Sequence, residues 1–315
     1  MLPVRSGYAP AAKHDACYLP RRAHTTGDIQ IHEMAWINNE LVFVNTAFSC
    51  LATRSDHHSF DLRWRPPFIT QLVPGDFCHL NGLALRDGRI PPPSKGGARG
   101  GINDRGNLLS ESRMVTSATP FSSAKSSYPA YVTALGETSA PSGWRDNKRN
   151  GGILIDVKSN EFIARGLSMP HSPRWHRDEL WLLESGDGFL GRVDLNTGRY
   201  EPIIRLPGFT RGLSFLGPLA FVGLSQVRES ATFSGIPLVE RLTERVCGVW
   251  VVNIDIAEII AFVRFEDAVQ EIFAVEVLPG VRYPDLINHD PQLIGRSYVP
   301  ADDALALVPQ ALQQS

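Results

Sequence analysis

Cysteine is scarce in this chain and never clustered. Its four copies, Cys17, Cys50, Cys78 and Cys247, form no Cys-x-x-Cys pair and share no metal-type spacing with histidine. That excludes a disulfide framework and a zinc ribbon, and it predicts reduced, mostly buried thiols. Long apolar runs are missing as well. No segment approaches the roughly 20 apolar residues of a spanning helix, and the first twenty residues, MLPVRSGYAPAAKHDACYLP, have no signal-like apolar core. The expectation is a cytoplasmic protein with no membrane partner. An excess of one charge is absent too: 31 Lys and Arg face 33 Asp and Glu, a net charge of −2 spread along the chain. With no basic field, a nucleic-acid partner is not implied.

What the 315 residues do contain is a β repeat. The stretch 166–208, GLSMPHSPRWHRDELWLLESGDGFLGRVDLNTGRYEPIIRLPG, reads as four strands at 171–175, 179–184, 189–194 and 200–204. They are joined by turns at HRD, SGDG and NTG, which hold residues that cap turns or accept positive φ. One such unit of about 40 residues is a propeller blade. Degenerate copies begin at IHEMAW, with strands at 32–36 and 41–45, at HLNGLALRDG, and at FTRGLSFLGPLAFVGLS, the last with a short helix near 238–243. SCLATRSDHHSFDLRWRPPFITQLV is expected to be a long second-to-third connection followed by weak outer strands. The inner-strand starts align at His32, Asn81, His171, Arg211 and Phe273; Asp156, Asp194 and Asp255 align as structural turn caps.

The expectation is therefore all-β: a β-propeller of four-stranded antiparallel blades, six-bladed by architecture and incomplete in this chain. An irregular segment covers 1–24, the propeller 25–290 and a tail 291–315. A Pro-, Gly- and Ser-rich insertion at 90–130 interrupts one hairpin. The strand-like EIFAVEVL has no partners in the sequence that follows it.

The motifs TTGDIQIHEMAW, CHLNGLAL, GWRDNKRNGGILIDV, GLSMPHSPRWH and VGLSQVRESATFSGIPL resemble a bacterial family of conserved hypothetical proteins, a domain of unknown function with propeller character. The resemblance covers about 18–284 apart from the insertion, and it implies a fold without an activity. It also implies that family members carry further strands ahead of YLPR, where this chain has an unrelated start.

In a propeller, inner-strand starts and second-to-third connections share one face. That face gathers His32, Asn81, His171 and Arg211 with the loop residues Trp144, Arg145, Asp146, Asn147, Lys148 and Arg149. It also gathers Asp187, Arg228, Glu229 and Arg245. Arginine forks match carboxylate and phosphate, so the first expectation is an anionic small molecule or an acidic segment bound by His32, Asn81, Arg145, Arg149, His171, Arg211 and Arg228. The competing structural reading has these arginines tying loops together. An alternative is a metal-dependent hydrolase or lactonase holding a divalent cation such as calcium on Glu33, Asn81 and Asp187, with His171 as general base. A protein-interaction scaffold is a third class. Gly186-Asp-Gly-Phe-Leu-Gly fits a dinucleotide fingerprint by letter, but it lies inside a hairpin with no helix after it.

Overall fold

The computed structural model describes residues 4–5, 14–20, 22–87, 127–227, 234–244, 246–287, 290–298 and 301–309. The chain divides into two compact units, Asp28–Val275 and Met1–Gly27 with Glu276–Ser315.

The larger unit is all-β apart from a 3-10 turn and one short helix, and holds four four-stranded antiparallel sheets, each built in chain order from its inner strand outward. The first comprises Ile31–Ile37, Glu40–Asn45, Cys50–Thr53 and Asp61–Trp64. The second comprises Leu80–Asp87, Ser127–Ala134, Gly152–Asp156 and Phe162–Leu167. The third runs Pro170–His176, Glu179–Glu184, Phe189–Asp194 and Arg199–Arg205. The fourth runs Phe209–Leu216, Leu219–Ser225, Cys247–Asn253 and Glu258–Phe265. Consecutive inner strands are neighbours, so the sheets stand side by side as blades.

Alternation explains the core. Within the third sheet, Leu180, Leu182 and Val193 face the second sheet, while Trp181, Leu183 and Leu190 face the fourth. A third cluster, including Val44, Leu51, Leu80 and Val132, joins the first sheet to the second. Val42, Tyr131 and Trp181 hold equal places in sheets one to three, and each is 3% exposed. Phe221, at the same place in sheet four, is only half-buried. At the other end of the series, Met34 and Trp36 of sheet one are 54% and 59% exposed, and among the described residues no sheet covers them.

Two expectations need correcting. Cys50–Thr53 is a fully buried third strand rather than part of a long connection, and the true connection is the tight turn after Asn45. The equivalence of Asp255 with the capping aspartates also fails. Asp156 and Asp194 do cap their turns, accepting from the backbone N–H of Lys158, Ser159 and Asn196, but in the fourth sheet Asn253 caps by accepting from Asp255 N–H. Asp255 pairs instead with Arg177 at 2.6 Å. Most of the 90–130 insertion lies outside the described residues, and its hairpin resumes at Ser127. Cys50, Cys78 and Cys247 are free and buried, with the Cys50 and Cys78 thiols pushed up to about 12 by burial.

The smaller unit is made of short pieces: Val4–Arg5 pairs antiparallel with Ser297–Tyr298, and Ala16–Tyr18 pairs parallel with Pro284–Leu286. Asp290 caps the helix Pro291–Gly295 by accepting from Gln292 and Leu293 N–H.

Candidate functional site

Each inner strand has a register shift next to its aligned start, between Ile31 and Met34, Leu80 and Gly82, His171 and Arg174, and Thr210 and Leu213. A bulge of this kind turns a side chain out of the regular pleat. Ser172 and Gly212 sit in these bulges at φ 51° and 83°. At Gly212 a Cβ would come within 2.6 Å of the Val275 nitrogen, so only glycine lets the following segment lie this close.

Fourteen residues after the start comes a hydroxyl: Thr46 after His32, Ser185 after His171, Ser225 after Arg211. Each reaches the backbone of the next unit. Thr46 Oγ1 donates to Leu80 O at 2.6 Å, Ser185 Oγ to Thr210 O at 2.5 Å, and Ser225 Oγ to Ile272 O at 3.0 Å. The segment around Ile272 is not a paired strand, yet Ser225 holds it where a fifth inner strand would begin.

The same hydroxyls settle the histidines. His32 Nδ1 lies 2.8 Å from Thr46 Oγ1 and 3.1 Å from Gln30 O; His171 Nδ1 lies 3.0 Å from Ser185 Oγ and 2.9 Å from Met169 O. A carbonyl oxygen only accepts, so Nδ1 carries the hydrogen in both rings. In the neutral imidazole Nε2 is then the bare acceptor. Burial, reinforced by His79 and Arg211, lowers the His32 pKa to about 3. Burial and Arg211 push His171 well below its ordinary value. Both rings are neutral at pH 7.

Arg211 belongs to the same group. Burial lowers its pKa and Glu271 opposes the shift, but among the described residues no carboxylate is hydrogen-bonded to the guanidinium. Its Cζ lies 4.0 Å from the Phe273 ring centroid, and Phe273 lies 5.3 Å from His32. Asn81 is 3% exposed; its Oδ1 accepts from Thr133 at 2.7 Å, and its Nδ2 has no partner.

Two members, Asp76 and His79, were not expected at the site, and they meet Trp144, which the sequence placed on this face. His79 packs against His32 at 4.7 Å and against Trp144 at 4.5 Å, and its Nδ1 lies 3.0 Å from both oxygens of Asp76. Trp144 Nε1 donates to Asp76 at 2.9 Å. The fold-back of Asp76 and His79 has no signal in the strand pattern.

The other expected residues have different surroundings or lie outside the described residues. Arg145 is exposed beside the Trp144 ring, and Arg149 pairs with Glu240 through two bonds of 3.1 and 3.3 Å. Arg228, with Glu229 and Arg245, lies outside the described residues. Both Glu33 oxygens are taken by Arg174 at 3.0 and 3.2 Å, and the Asp187 carbonyl accepts from Arg241. Among the described residues no three His, Cys, Asp or Glu side chains are placed to hold a metal ion, and no helix is long and apolar enough to cross a membrane.

These features define an all-β protein with a propeller-like arrangement of blades and a polar group at the strand starts. The chain belongs to the family described as "Domain of unknown function (DUF4915)", which matches residues 2–92 and 123–287 and leaves out only the middle of the insertion and the C-terminal end. The match begins ahead of the expected residue 18. No curated protein is significantly similar. Among solved structures, the computationally designed Ika8 protein is 10% identical over 78% of this chain and 51% of its own, with a TM-score of 0.35. The designed Ika4 protein is 12% identical over 47% and 73%, at 0.28. Kuenenia stuttgartiensis hydrazine synthase is 9% identical over 79% and 53%, at 0.39. The chain thus spans about half the length of two of the three.

Proposed function

We propose that this domain binds a small anionic molecule at the inner-strand starts, with Arg211 as the anchoring cation. The observation that supports the reading is Arg211 itself: a half-buried guanidinium with no carboxylate bonded to it among the described residues, flanked by imidazoles that are neutral. Glu271 acts on this cation through its field alone, without a hydrogen bond, so an anion arriving there gains more than at the surface. Arg145 and Arg149 are not needed for this role, since the first is exposed and the second is paired.

Thermal unfolding in citrate, malonate and phosphate, against chloride at equal ionic strength, tests the reading. An anion that binds only the native chain raises the midpoint, by a free energy of about 2.7 kcal/mol at a hundredfold excess over Kd. Arg211→Met is expected to abolish the shift while Arg149→Met keeps it. Equal shifts in the wild type and Arg211→Met would refute the assignment.

A further inference from the structure

The hydrogen-bonding inventory around Arg211 is mixed, and an anion alone matches only half of it. Arg211 is a donor that no carboxylate hydrogen-bonds among the described residues. Nε2 of His32 and of His171 are acceptors, because Nδ1 carries the hydrogen in each ring, and neither Nε2 makes a hydrogen bond among the described residues. A plain carboxylate, fully deprotonated, would set oxygen lone pairs against those nitrogens. A ligand that satisfies both halves brings negative oxygens and O–H donors in one small molecule.

We infer that the ligand is a hydroxy acid, its carboxylate held by Arg211 and its hydroxyl hydrogens given to Nε2 of His32 and His171. This rests on the anion-binding reading and narrows it to a chemical class. Each imidazole also has an aromatic neighbour, Phe273 at 5.3 Å from His32 and Phe209 at 5.7 Å from His171, which lowers the polarity around an unmet acceptor. Discrimination of this kind is large when a site is built to meet a substrate hydroxyl, since the analogue lacking it leaves buried polar groups unpaired.

L-tartrate and succinate separate the two levels, having the same carbon count and the same two carboxylates and differing by two hydroxyls. Calorimetric titration of the full chain at pH 7.5 is expected to give tartrate at least about tenfold tighter than succinate, the size of one net hydrogen bond. Equal affinities would overturn the hydroxy-acid inference and leave the anion site standing. Binding of neither by the folded protein would overturn both. His32→Phe, checked for folding by circular dichroism, is expected to bring tartrate down to the succinate affinity, and a retained preference would remove His32 from the role. Should His32→Phe fail to fold, the wild-type comparison decides alone.

Discussion

His32 and His171 make acid the natural probe of this site. Their pKa values in the folded chain lie below the ordinary value of about 6.5 that each recovers on unfolding. Above that value neither state holds the proton and both rings contribute their full packing. As the pH falls through it, only the unfolded chain takes protons up, so stability drops by about 1.4 kcal/mol per pH unit for each ring. For His32 the loss continues to about pH 3, where the folded ring protonates too. Midpoints measured from pH 7 to pH 4 should therefore fall steeply, and His32→Phe should flatten the slope. An unchanged slope in that variant would mean that His32 is not held neutral. Why these residues and not their neighbours were legible follows from their position. A repeat alignment finds what strand starts supply, so His32, Asn81, His171 and Arg211 stood out. Asp76 and His79 precede a strand, and only the fold-back that sets them against Trp144 reveals them.

The blade is the element that the sequence describes best. In the third sheet the expected strands agree with the observed ones to within a residue or so at each end, because its turns carry Asp, Asn and Gly where the backbone needs them. The first sheet was misread at Cys50–Thr53, where all four residues are buried and no polar alternation marks a strand. What joins one blade to the next had no signal in the strand pattern, because a single hydroxyl fourteen residues after a strand start acquires its meaning only once the blades are packed. Those hydroxyls hold the first, third and fourth blades to the segment that follows each, inside the core, so their loss should be felt. Ser185→Ala leaves Thr210 O without its donor and removes an acceptor from His171, at an expected cost of about 1–3 kcal/mol in urea unfolding. Arg149→Ala breaks a bidentate pair whose side chains are 49% and 56% exposed, and such pairs contribute at most about 1 kcal/mol. A ranking in the opposite order would show that the blades are tied at the loop face rather than through the hydroxyls.

For the whole molecule the question is what the segment between Asp87 and Ser127 contributes. These residues are register partners at the end of one hairpin, about 5 Å apart as such pairs are, and a two-residue turn spans that gap. The strands they end are held independently of whatever joins them: Leu83 and Val132 lie in the core between the first and second sheets, and Ala84 and Tyr131 in the core between the second and third. This end of the hairpin is also the far end of the inner strand from Asn81, so the join lies away from the proposed ligand. The family match stops at residue 92 and resumes at 123, which places the foreign sequence within the same span. Replacing residues 88–126 by Asn-Gly should thus leave one cooperative transition with an unchanged or higher midpoint, since a shorter loop costs less entropy to close. The anion-dependent shift should survive as well. Loss of cooperativity in the shortened chain would mean that residues 88–126 do more than join two strands, and that the second sheet depends on them.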